Sequence, residues 1–191
     1  MKAPILLLFL IFSMNLSAQI PAIKSNSNLL DRHRSLALPF AENAELIITY
    51  REENIFRDNL PPHWLLILRN NEWTMTRISR TQKGTKSTTL AEKFPVNQDS
   101  ARQLISLLTS GNFWNLNGND DSEIVDQKQD LPPLADNERV YQRFEVIQGN
   151  QFRVIEYYSP DAFLKRVPEL ENTRKFINCR DAFLRIIKQA K

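Results

Sequence analysis

The chain has few of the residues from which cofactor and metal sites are made. Its 191 residues include four glycines, one cysteine and two histidines. The glycines stand at 84, 111, 118 and 149, too far apart for a dinucleotide-binding fingerprint or a phosphate-binding loop. Two histidines and one cysteine exclude a three-histidine zinc site, an H-E-x-x-H helix and a Cys-rich zinc or iron–sulfur centre. A lone cysteine also excludes a disulfide framework. There is no G-x-S-x-G elbow for a serine hydrolase. Basic and acidic residues are nearly balanced, 25 Lys+Arg against 22 Asp+Glu, and are interleaved along the chain. Nothing in that pattern points to nucleic acid. We expect no cofactor, no metal and no nucleic-acid partner.

What is present begins with a leader. Residues 1–18 read MKAPILLLFLIFSMNLSA. Lys2 gives a short positive region, Ile5 to Phe12 is unbroken apolar sequence, and small residues Ser17 and Ala18 precede Gln19. This is the order of a secretory signal peptide. The apolar core falls short of the ~20 residues of a membrane span, which favours cleavage. No cysteine follows the cut, so a lipoprotein anchor is not expected. The ending Leu16-Ser17-Ala18-Gln19 resembles that of small exported proteins of Bacteroidota-type bacteria. That resemblance covers the leader alone and implies the periplasm or the exterior. No second apolar run of about 18 residues follows, so the mature chain is expected to have no transmembrane segment.

Residues 19–40 lack a sustained period and contain KSNSN at 24–28, which reads as a flexible arm. A single domain is expected over 41–191. Residues 44–51 alternate, with Leu46, Ile48 and Tyr50 on one face, and read as a strand. In WLLILRNNEWTMTRIS, 64–79, Asn70-Asn71 suit a two-residue turn because both tolerate positive φ. That turn pairs Leu68 with Trp73, Leu66 with Met75 and Trp64 with Arg77, and sets Arg69 opposite Glu72. A turn near Lys83-Gly84 returns the chain as a Thr-rich strand, 86–91.

Asn97 or Asp99 caps a helix whose apolar face is Ala101, Leu104, Ile105 and Leu108. Gly111 stands where a left-handed C-cap belongs. Gly149-Asn150 turns a further hairpin, pairing Ile147 with Phe152, Glu145 with Val154, Arg143 with Glu156 and Tyr141 with Tyr158. Pro168 suits the first turn of a last helix, with Phe176, Cys179, Phe183, Ile186 and Ile187 on its apolar stripe. The expected fold is α+β: an antiparallel sheet of about five to six strands with two helices packed on one face.

Candidate chemistry is sparse. Cys179 lies on an apolar stripe and reads as a packing residue rather than a nucleophile. Asn117, Asn119, Asp121 and Glu123 alternate oxygen ligands, but Ser122 replaces the turn glycine of a calcium loop. Glu145 and Glu156 share a sheet face and, with His63, are the candidates for acid–base hydrolysis of an envelope glycan. Trp64, Trp73 and Arg77, which read as core if helices cover them and as contact surface if not, and Tyr141, Arg143 and Tyr158, are candidate contacts for a protein, peptide or glycan. Arg77, Arg80, Lys83 and Lys86 make one hairpin end basic.

The leading expectation is a non-catalytic binding or interaction module, more a binder than an enzyme. Its alternatives are a carboxylate-based hydrolase and an inhibitor-like protein that presents the 117–137 loop.

Overall fold

A computed structural model describes residues 20–27, 29–54, 61–83, 86–118, 121 and 133–190. The leader lies outside the described residues, as does most of the 117–137 loop. Six strands form one sheet: β1 (Leu46–Asn54), β2 (His63–Arg69), β3 (Glu72–Lys83), β4 (Lys86–Pro95), β5 (Val140–Gln148) and β6 (Gln151–Tyr158). Their order across the sheet is β4-β3-β2-β1-β5-β6, and every neighbouring pair is antiparallel. Among the described residues the α-helices are α1 (Leu29–Arg34), α2 (Gln98–Ser110), α3 (Pro160–Arg166) and α4 (Glu171–Ala190). The α+β class and the antiparallel sheet are as the sequence implies.

The hairpins close as the turn chemistry dictates. Asn70 and Asn71 both adopt positive φ (52° and 61°), and so does Gly149 (56°). Two-residue turns of this hand match the twist of the flanking strands. The register is then fixed: Leu68 opposes Trp73, Trp64 opposes Arg77, Arg143 opposes Glu156 and Tyr141 opposes Tyr158. Arg69 does oppose Glu72, but its guanidinium donates to the carbonyls of Phe40 and Glu42 instead.

Alternation along the strands creates two cores. Leu46, Ile48, Tyr50, Trp64, Leu66, Leu68, Trp73, Met75, Phe144, Val146, Ile155 and Tyr157 join the apolar stripes of α2 and α4 in one buried cluster. Phe144 sits at its centre, edge-on to Phe113, Phe176 and Phe183 at 5.1–5.6 Å between ring centroids. On the opposite face Ile47, Leu65, Ile67, Ile78, Ile147 and Phe152 form a smaller cluster. Leu36, Ala37, Phe40, Ala41 and Ala44 pack on it.

Residues 20–27 and 29–44, which cover most of the stretch the sequence suggests is a flexible arm, run as a strap around the β6 edge. Ile23 is buried in the larger cluster and Ile20 packs against it. Ser25, Asn26 and Ser27 then follow the outer edge of β6. The Ser25 hydroxyl accepts from the Phe152 N–H (2.9 Å), and the Ser27 hydroxyl donates to the Phe152 carbonyl (3.3 Å). Asn26 accepts from the Val154 N–H (2.8 Å) and donates to the Val154 carbonyl (2.7 Å). Short polar side chains thus close backbone groups that a neighbouring strand would otherwise take. The next outward group, the Glu156 carbonyl, is covered by Gly118. A Cβ on Gly118 would fall 1.7 Å from that oxygen, so only glycine fits there.

The helices differ from expectation in detail. α2 is capped by Asn97, whose side chain accepts from the Ser100 N–H (2.9 Å). The left-handed residue after α2 is Asn112 (φ 58°), not Gly111 (φ −77°). Gly111 is needed for close packing: a Cβ there would lie 3.1 Å from the Leu107 carbonyl oxygen and 3.2 Å from Cys179 Sγ. The last helix begins at Glu171, so Pro168 lies in the preceding turn. Its first turn is capped from a distance, by buried Asp121, which accepts from the Thr173 N–H and hydroxyl at 2.6 Å each. Asp121 is therefore a helix cap rather than a surface ligand. Helix α3 is an addition the sequence analysis does not contain. Its signal is Pro160 at the first helical position, directly after Ser159.

Candidate functional site

The strap covers only part of the smaller-cluster face. Along β1, β5 and β6 the side chains on that face change from Ile47, Ile147 and Phe152 to Thr49, Glu145 and Val154, then to Arg51, Arg143 and Glu156, then to Glu53, Tyr141 and Tyr158. His63 lies on the same face at the start of β2. A greasy floor under the strap thus gives way to a polar surface, by period-two register alone.

Glu145 stands at the boundary and is buried, with 4% of its surface exposed. One carboxylate oxygen accepts from the Ser35 hydroxyl of the strap. The other accepts from Arg143 Nε at 2.9 Å and lies 3.7 Å from Arg51. Arg143 also reaches Glu156 (3.4 Å), and Arg51 pairs with Glu53. Each guanidinium is held between two carboxylates, which fixes its direction. Tyr141 and Tyr158 pack together beside them, with ring centroids 4.8 Å apart and planes tilted by 43°, and Tyr141 is among the exposed large apolar side chains.

Burial, together with the charges of Arg51, Arg80 and Arg143, lowers the His63 pKa to about 4. The imidazole is therefore neutral and weakly basic at pH 7. No hydrogen bond brings it to Glu145 or Glu156 among the described residues.

The proposed contact residues divide between the two faces. Tyr141, Arg143 and Tyr158 come together on the polar surface. Trp64 and Trp73 are buried in the larger cluster. Arg77 spans the rim of that cluster, 5.9 Å over the Trp64 ring and 5.7 Å over the Phe94 ring, and pairs with Glu92.

A second polar group, absent from the sequence analysis as a cluster, lies where α3 and α4 meet the sheet. Arg180, almost buried, donates to Gln142 (2.9 Å), and pairs with Asp161 and Asp181. Burial alone would raise the Asp161 carboxyl. The hydrogen bond and charge of Arg180 outweigh it and hold the carboxyl below its usual range. Nearby, Tyr50 donates to Glu52 (2.6 Å), and its pKa is driven upward by burial first and by Glu52 second. Gln142, Ser159 and Asp161 border an open cavity of about 270 Å³.

Cys179 borders another cavity, of about 370 Å³, between α2 and α4. Burial pushes its thiol up to about 11, so it behaves as a packing residue. Among the described residues no group of three or more His, Cys, Asp and Glu side chains is placed to hold a metal ion. No described helix is long and apolar enough to cross a membrane.

No protein-family model matches the chain, and no curated protein matches it.

Proposed function

We propose that the protein is an exported, non-catalytic binding module of the bacterial periplasm or exterior. Its contact surface is the polar part of the strap-bearing face, around Tyr141, Arg143 and Tyr158. The observation that carries this reading is the tilted, closely packed tyrosine pair beside a guanidinium fixed by Glu145 and Glu156. Aromatic faces next to oriented donors suit a sugar ring or an extended peptide. Side chains already held in one geometry lose little freedom on binding.

A binding role is favoured over hydrolysis because the carboxylates are committed. Glu145 has both oxygens engaged, and Glu156 is tied to the same arginine. General acid–base work needs a carboxyl free to exchange a proton with substrate. Export rests on the leader and its resemblance to Bacteroidota-type exported proteins. A cut after Ala18 removes none of the strap residues that contact the sheet.

The test is a titration of isotope-labelled protein with soluble peptidoglycan fragments and, separately, with their stem peptides, followed by NMR. Shifts grouped at Tyr141, Arg143, Glu156 and Tyr158, lost in Tyr141→Ser/Tyr158→Ser, are the expected result. Turnover of either probe that depends on Glu156 or His63 would contradict the binding role.

A further inference from the structure

The two edges of the sheet are treated differently. On β6 the outward backbone groups of Phe152 and Val154 are closed by Ser25, Asn26 and Ser27, and Gly118 packs directly against the Glu156 carbonyl. On β4 the outward groups follow from the register. Lys83 opposes Lys86 across a two-residue connection, so this pair is hydrogen-bonded and the bonded pairs recur at Thr81–Thr88, Ser79–Leu90, Arg77–Glu92 and Met75–Phe94. The peptide groups of Ser87, Thr89, Ala91 and Lys93 therefore point away from β3. Among the described residues, Thr89, Ala91 and Lys93 have no partner on that side. Thr88 to Ala91 and Lys93 are exposed, and Leu90, at 56%, is the most exposed large apolar side chain.

The edge also has a charge. Arg77 is matched by Glu92, but Arg80 and Lys93 are exposed, and Lys83 and Lys86 stand at the hairpin end. A second copy of the chain laid on this edge would bring like charges together, which disfavours pairing. An acidic strand would meet the opposite charge.

We propose that the β4 edge is a strand-addition site that takes an extended, acidic segment of a partner protein, antiparallel to β4. Backbone bonds to Thr89, Ala91 and Lys93 give the affinity, and the exposed Arg80 and Lys93 select acidic sequences. This site is separate from the tyrosine surface and does not depend on it.

The experiment uses the purified chain and a fluorescein-labelled heptapeptide of alternating glutamate and valine, with a lysine–valine peptide as its counterpart. Binding is read by anisotropy at low and high salt. The acidic peptide should bind at least tenfold more tightly than the basic one, and more weakly as salt rises. Thr89→Pro/Ala91→Pro removes two outward N–H groups at edge positions where proline is tolerated. It should weaken binding at least tenfold. Should that variant not fold, Arg80→Glu/Lys93→Glu keeps the backbone and should reverse the preference between the two peptides. Equal binding of both peptides by the native chain, or binding unchanged in these variants, would overturn the proposal. So would a dimer that forms through β4 and is lost in the proline variant.

Discussion

Asn26 closes both outward backbone groups of Val154 with a single side-chain amide, accepting from its N–H at 2.8 Å and donating to its carbonyl at 2.7 Å. The pair is 128 residues apart in sequence, so the contact ties the start of the strap to an edge strand made late in the chain. Asn26→Ala should cost about 1 kcal/mol in a denaturant titration, the usual net value of an exposed or half-exposed bond pair. The sharper readout is hydrogen exchange. The Val154 amide should lose protection while its neighbours in the β5–β6 ladder, such as Arg153 and Ile155, keep theirs. Uniform loss along β6 would mean that the strap acts only through its apolar contacts.

Gly118 is the strap's counterpart on the same edge. With a methyl group 1.7 Å from the Glu156 carbonyl oxygen, Gly118→Ala forces the 116–118 segment off β6. The Tyr157 hydroxyl would then lose the Asn117 carbonyl, and Arg153 the Leu116 carbonyl. We expect destabilisation of roughly 3 kcal/mol or more, in the range of a buried steric conflict with lost hydrogen bonds. Equilibrium unfolding measures it. A change within about 0.5 kcal/mol, typical of an unconstrained surface site, would contradict this packing.

His63 gives the fold a pH dependence whose sign follows from its lowered pKa. In the unfolded chain the imidazole takes a proton near pH 6.5, whereas in the fold it does so only near 4. Between those values the unfolded state binds more protons, so stability falls as pH drops from about 6.5 to about 4. The full effect is on the order of 3 kcal/mol. Asp161 acts in a lower window, because its depressed carboxyl withdraws stability only as pH falls through its folded pKa. His63→Asn should flatten the slope of denaturation midpoint against pH above 4 and leave the acid limb in place. An unchanged slope would place the titrating group elsewhere.

Glu145 is the hinge between the strap and the polar surface, because it accepts from Ser35 on one side and Arg143 on the other. Glu145→Gln leaves Arg143 and Arg51 with one carboxylate each, Glu156 and Glu53. Both arginines are partly exposed, so the cost should be about 2 kcal/mol, below that of breaking a fully buried pair. Ser35→Ala should cost about 1 kcal/mol. In a double-mutant cycle the two changes should couple, since the amide leaves one acceptor oxygen for which Ser35 and Arg143 then compete. Additive losses would separate the strap from the network.

The hairpins were legible because each rests on a local rule. Asn70-Asn71 and Gly149-Asn150 set the turn, and period two then carries Arg143 to Glu156 and Tyr141 to Tyr158. The tyrosine surface was readable for the same reason. The strap was not. Ser25, Asn26 and Ser27 have no apolar period, and their partners lie more than a hundred residues away. Short polar residues read locally as a tether become an edge cap only when β6 is beside them. Asp121 was hidden in the same way, since a helix cap drawn from a distant loop leaves no spacing signal at Thr173. Trp64 and Trp73 read as either core or contact until the larger cluster placed them inside.

The central claim is that the tyrosine surface, and not the helical side, meets a partner. Site-specific photo-crosslinking in the native host tests it most directly, with a photoreactive residue at Tyr158 and, as the control, at Leu107, an exposed position on α2. The account expects a discrete adduct from position 158 that Arg143→Ala abolishes, and none from 107. Adducts from 107 alone, or from both positions equally, would contradict it.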